Sequence, residues 1–218
     1  MGATLAERGR RCQFPKTSTF TEYVPRRYEL KQRALSQAET RRRIVDATVA
    51  LHASLGPART TISAIAERAG VQRLTVYRHF PDDRSLFQAC GGLWMAQNPL
   101  PDPAAWVATD DPAERLQVAL SAIYAYFAST EAATAHFLRD LPELPVMQEV
   151  AAPLLHYWDS VRDILVGGWE ARGERADRLR AVIGHALEFD TWRSLARTHG
   201  LADTEAAELM VRLARVVC

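Results

Sequence analysis

Ile44, Ala47, Thr48, Leu51 and Leu55 fall at i, i+3, i+4, i+7 and i+11, the spacing that lines side chains along one face of a helix. This pattern predicts a helix over 36–55, stopped by Gly56-Pro57. Thr60-Thr61 offers an N-cap for a short helix over 62–69, Gly70 a tight turn, and a second short helix runs from about Gln72 to Phe80. Pro81-Asp82 ends it, and Asp82 is placed to cap a helix starting at Asp83. Beyond residue 88 the apolar positions keep a helical period. Leu116, Leu120, Ile123, Tyr124 and Phe127 predict a helix over 113–130, followed by a short one over 131–141 that PELP (142–145) breaks. A long helix from about Val146 carries Pro153 and decays at Gly173. Stripes at Leu179, Val182, Ile183, Ala186 and Phe189, and at Leu209, Met210, Leu213 and Val216, predict the last two, over 176–198 and 203–217. No segment alternates with period two. The expected fold class is all-α, with an irregular arm over 1–36, a small helical domain over 37–87 and a larger one over 88–218.

Composition adds bounds. Of 218 residues, 48% are hydrophobic and 24% charged, enough to bury a core. No apolar run reaches the ~18 residues of a membrane span, and no apolar segment follows the N-terminal arginines as a secretory signal would. Cys12, Cys90 and Cys218 are odd in number and far apart, matching neither a disulfide framework nor a metal-ligand spacing. A reduced, cytoplasmic setting is expected. The net charge of +1 divides into +7 over residues 1–43, +1 over 44–87 and −7 over 88–218. A basic front on an acidic body is the layout of a nucleic-acid-binding end joined to something else.

Two short helices around a glycine turn match the helix-turn-helix unit. Ile62, Ile65, Val76 and Phe80 supply apolar contacts, and Ala66 lets the helices cross closely. With Val76 inward and ~100° per residue, Leu74 and Arg78 point outward, Thr75 and Tyr77 flank them, and Gln72 and Arg73 occupy the first turn. In a DNA major groove, arginine can donate two hydrogen bonds to guanine and leucine can touch a thymine methyl. Hydroxyls and histidine can reach phosphates.

ISAIAERAGVQRLTVYRHFPDDRSLF (62–87) resembles the DNA-binding segment of the TetR family of bacterial transcriptional regulators, whose pattern is similar to IAxxAGVsxxTlYxHFxxKxxLf. Ile65-Ala66, Ala69-Gly70-Val71, Thr75-Val76-Tyr77, His79-Phe80 and Leu86-Phe87 fall in register, and the helix with Arg43, Ile44, Ala47 and Leu51 fits the family's first. The likeness spans about 40–87. It implies that Thr61, Thr75, Tyr77 and His79 contact phosphates, while Ser63, Gln72, Arg73, Leu74 and Arg78 stand where base readers stand. Arg41, Arg42 and Arg43 begin the first helix, where a phosphate would be welcome, and Arg8, Arg10, Arg11, Arg26 and Arg27 could track the DNA backbone or enter a minor groove. One departure is Asp83, where the family usually has a phosphate-contacting lysine.

The resemblance also implies a ligand-binding body that dimerises through its last two helices and lets two recognition helices read a palindromic operator. Trp94, Trp106, Tyr124, Phe127, Phe137, Tyr157, Trp158 and Phe189 are the candidate pocket walls, suited to a small apolar or aromatic effector. Gly91-Gly92 inside a helical stretch costs roughly 1 kcal/mol per residue and reads as a hinge, a helix end or a site of close packing. No cofactor or metal is expected. HExxH, GxSxG, P-loop and GxGxxG patterns are absent, and His185-x-x-Glu188 is one pair where a di-metal bundle needs several carboxylates. The rival readings are an architectural DNA-binding protein, against which the −7 body argues, and a helical small-molecule-binding protein or enzyme without operator binding.

Overall fold

The computed structural model describes residues 26–218, which contain helices and no strands. The elements are α1 (Arg26–Leu55), α2 (Ile62–Ala69), α3 (Arg73–His79), α4 (Asp83–Gln97), α5 (Ala104–Val107), α6 (Pro112–Asp140), α7 (Pro145–Val166), α8 (Glu174–Ala186), α9 (Phe189–Arg193) and α10 (Asp203–Val217). Short 3₁₀ turns follow α1 and α6, and a π-helical turn, Ser194–Thr198, follows α9. The first helix begins at Arg26, ten residues before Ser36. Its residues 30–38 are exposed and belong to a different unit from residues 39–218; without buried apolar positions, this stretch carries no periodic signal to read.

Within residues 39–218 there are two apolar cores. One joins α1 to α4 through Ile44, Leu51, Ile65, Val76, Phe80 and Leu86. The other gathers α6 to α10 around Leu116, Leu120, Ile123, Phe127, Ile183, Trp192 and Met210. Caps and turns follow the sequence signals. Thr61 Oγ1 accepts from Ala64 N at 3.1 Å, Asp82 Oδ1 from Ser85 N at 2.7 Å, and Asp111 Oδ1 from both Ala113 N and Glu114 N at 2.8 Å.

Two boundaries differ from the periodic reading. The expected helices over 113–130 and 131–141 are one continuous α6. Their polar junction is no stop signal, because the buried Thr130 hydroxyl is satisfied inside the helix, at 2.8 Å from the Tyr126 carbonyl and 3.0 Å from Thr134 Oγ1. Conversely, the expected helix over 176–198 is interrupted. Glu188 is extended, at φ −75° and ψ 135°, and α9 then brings Phe189 and Trp192 into the core. The Trp192 indole N–H donates to Asp203 Oδ1 at 2.8 Å, which ties α9 to the start of α10.

Candidate nucleic-acid interface and ligand cavity

The α2–α3 turn is a Schellman motif. Gly70, at φ 64°, donates to the Glu67 carbonyl at 3.0 Å, and Val71 N donates to the Ala66 carbonyl at 2.9 Å. Arg43 of α1 clamps this turn, its Nη2 donating to the carbonyls of Ala69 and of Gly70. Its observed partners are therefore the turn carbonyls, although the sequence places it among DNA contacts. Arg41 lies over the Phe80 ring at 4.1 Å and donates to the His79 carbonyl at 3.1 Å, fixing the end of α3 against α1. Arg42 pairs with Glu39 and Asp46 along its own helix.

So held, α3 buries Val76 completely and turns Gln72, Arg73, Leu74, Tyr77 and Arg78 outward, with Thr75 and His79 half-buried beside them. Leu74 is 57% exposed. Arg73 and Arg78 form no ion pair with any described residue. Ser63 and Thr61 are exposed on α2 and its cap; capping uses an acceptor lone pair of Thr61 and leaves its O–H as a donor. Asp83 is exposed in the first turn of α4. Its neighbour Arg84 does not cover for the missing lysine, since its guanidinium pairs with Glu149 of α7. Arg8, Arg10 and Arg11 lie outside the described residues.

A cavity of about 1010 Å³ opens between α1, α4, α6, α7 and the α8–α9 junction. Among the candidate pocket residues, Trp94, Phe127, Phe137, Tyr157, Trp158 and Phe189 line it. Tyr124 does not. It is fully buried, with its hydroxyl donating to the Ala186 carbonyl at 3.0 Å, and is a core residue joining α6 to α8. Trp106 is likewise buried in the core behind α6. Position on the α6 stripe does not separate Tyr124 from Phe127; only the packing of α8 does.

Apart from Trp94, the wall supplied by α1 and α4 was not legible among the sequence candidates. His52 of α1 and Phe87, Cys90 and Gly91 of α4 all line the cavity. His52 packs at a tilt against Phe87 with ring centroids 5.3 Å apart, and its Nδ1 lies 3.7 Å from Cys90 Sγ. Burial pushes the imidazole down to about 4, against the pull of Asp140, and pushes the Cys90 thiol up to about 12. Both are therefore neutral at physiological pH. The signal was available in α4, where Phe87, Gly91, Trp94 and Met95 stand at i, i+4, i+7 and i+8. α4 runs unbroken through both glycines, and a Cβ at either would meet nothing within 4 Å. They are neither a helix end nor a site of close packing.

A polar clasp connects the two cores. His136 Nδ1–H donates to the Ala53 carbonyl and Arg139 Nη2 to the Leu55 carbonyl, each at 3.0 Å, while Asp140 Oδ2 accepts from Ala58 N at 3.0 Å. The end of α6 thereby caps the end of α1. Arg139 and the Ala58 N–H hold the Asp140 carboxyl below its ordinary range. His185 and Glu188 sit 3.4 Å apart and are both about two-thirds exposed; among the described residues no cluster could hold a metal ion.

Residues 44–90 match the family model for bacterial regulatory proteins of the tetR family. This helix-turn-helix segment is that of a TetR-family regulator. Members of that family are DNA-binding transcription factors rather than enzymes. Solved structures extend the likeness to the TetR fold of the body. A TetR-like transcriptional regulator from Rhodococcus sp. RHA1 is 18% identical with a TM-score of 0.55, covering 81% of this chain and 93% of that one. The TetR-family regulator PfmR from Thermus thermophilus is also 18% identical, with a TM-score of 0.52 and coverage of 80% and 96%. No curated protein matched the sequence. No helix among the described residues is long and apolar enough to cross a membrane.

Proposed function

We propose that this TetR-family regulator is a cytoplasmic repressor that binds a palindromic operator as a homodimer and is released by a small, largely apolar or aromatic effector in the cavity. The observation that carries the reading is the face of α3. It turns out Arg73, Leu74, Tyr77 and Arg78 while Val76 is sealed inside, a surface with donors and an apolar contact but no ion-pair partner among the described residues. Gln72, Arg73, Leu74, Arg78 and Ser63 read base edges. Thr61, Thr75, Tyr77 and His79 bind phosphates and set the register.

Dimerisation through α8 and α10 is supported by the apolar stripe Leu209, Leu213 and Val216, exposed at 38%, 43% and 83% along α10. Two-fold symmetry would then match two recognition helices to operator half-sites about one DNA turn apart. The test is binding of the full-length protein to DNA from its own upstream region and to a scrambled duplex, at several salt concentrations. The reading requires a preference of ~10³ or more, with affinity falling steeply in salt. Equal binding to both duplexes would reduce the protein to a non-specific binder; binding to neither would favour a helical ligand-binding protein.

A further inference from the structure

The cavity wall belongs in part to the segment that carries the helix-turn-helix. His52, Ala53, Phe87 and Cys90 lie within residues 44–90 and face Phe137 of α6 and Trp158 of α7 across the same space. We propose that this cavity selects an uncharged aromatic or apolar molecule, lodged directly between the DNA-binding segment and the body, with a ring on the bare backbone at Gly91 and one polar atom on the His52 imidazole. This inference rests on the effector reading above and specifies its ligand class.

Charge supports it first. Each charged group on the wall is either paired or at the solvent edge. Arg84 pairs with Glu149, Asp190 pairs with Arg193 at 2.9 Å, and Arg162 Nη2 donates to Asp159 at 2.6 Å while its buried Nε–H keeps no hydrogen-bond partner among the described residues. Glu188 is 65% exposed beside His185. At the α1–α4 end the two titratable groups, His52 and Cys90, are both held neutral by burial. A ligand with a net charge at this end would be stripped of water and meet no counter-charge, which is unfavourable; the unpartnered Arg162 Nε–H on α7 belongs to a guanidinium already paired with Asp159 and asks for an acceptor atom rather than a second charge. A neutral imidazole, with one ring nitrogen beside the Cys90 thiol, has the other left as a single donor or acceptor for a hydroxyl or carbonyl.

Shape supports it next. Gly91 sits four residues after Phe87 and three before Trp94 on the cavity face of α4. A Cβ there would meet open space rather than a neighbouring atom. Glycine is the poorest helix former after proline, and neither chain reversal nor close packing requires it here. Its effect is to leave a stretch of backbone without a side chain between Phe87 and Trp94.

The experiment uses N-phenyl-naphthylamine and its sulfonated analogue, anilinonaphthalene sulfonate, which share a ring system and differ by one negative charge. Both brighten in an apolar site. The neutral probe is expected to bind the full-length protein at least about tenfold more tightly than the sulfonate. Gly91→Leu is expected to fold with an unchanged or higher melting temperature and to weaken the neutral probe by about tenfold or more; Gly91→Ala, a smaller intrusion, should weaken it less. Equal affinity for the two probes overturns the charge selection. Undiminished neutral-probe binding to a folded Gly91→Leu protein overturns the site. If the neutral probe binds as expected but leaves the affinity for DNA unchanged, the ligand class and site stand and the effector role fails.

Discussion

Gly70 and Gly91 are the same residue type under opposite constraints. Gly70 holds φ at 64°, and a Cβ there would approach Arg43 Nη2 to 2.9 Å, so Gly70→Ala strains the backbone and displaces the arginine that clamps the turn. Its expected cost is about 1–2 kcal/mol in chemical denaturation; an unchanged midpoint would contradict the turn geometry. Gly91→Ala enters open space in a helix interior and should instead gain stability, by up to about 1 kcal/mol. His52 gives a third residue-scale expectation. With its pKa lowered to about 4, the folded protein refuses a proton that the unfolded chain accepts near pH 6.5. The group costs nothing above pH 6.5 and destabilises progressively as pH falls from there toward 4, by about 3 kcal/mol at most. His52→Gln should flatten that part of the stability profile relative to the unmodified protein. A parallel loss in both proteins would show that His52 titrates normally in the fold.

At the scale of elements, α3 acts as a unit whose outward residues divide by chemistry. Arg78→Ala is expected to lose about 1–3 kcal/mol of operator binding and to relax preference at one base position, whereas Tyr77→Phe should weaken all sequences alike. Competition with single-base operator variants separates the two patterns. The end of α6 is a second unit. Asp140 is 3% exposed, and Asp140→Ala would leave the Ala58 N–H without its acceptor and Arg139 without its carboxylate. A stability loss of about 1–3 kcal/mol is expected. Amide exchange would show it as faster opening of the turn at residues 56–59; protection unchanged there would mean that the clasp is incidental.

The whole molecule pairs a basic front with an acidic body, +7 over residues 1–43 against −7 over 88–218. Under the proposed function the basic residues favour DNA, and the apolar stripe of α10 is the surface expected to meet a second copy. Leu213 lies at its centre, 43% exposed. Leu213→Glu should turn a dimer into a monomer in sedimentation and steeply reduce operator affinity, because one half-site then binds without its mate. A dimer that survives the change would move the interface elsewhere. The cavity lies within residues 39–218, where α1 and α4 supply one wall and α6 and α7 the other.

Local physics made much of this protein legible in advance. Glycine at a left-handed turn, threonine and aspartate at helix starts, and apolar residues every three or four positions fix conformations within a few residues of one another, so they can be read along the chain. The α2–α3 unit and the inward Val76 were read in this way. Other features depend on residues far apart in sequence. The break after α8 follows from where Phe189 and Trp192 find their core. Tyr124 left the pocket because Ala186 packs over it, sixty-two residues away. Arg43 became a clamp because two carbonyls of a distant turn point at it. His52 was silent in the sequence, as an isolated histidine on a helix face; only the stacking of α4 upon α1 makes it buried, neutral and part of a cavity. Periodicity determines which side of a helix is apolar, and tertiary packing alone decides whether that side meets protein or empty space.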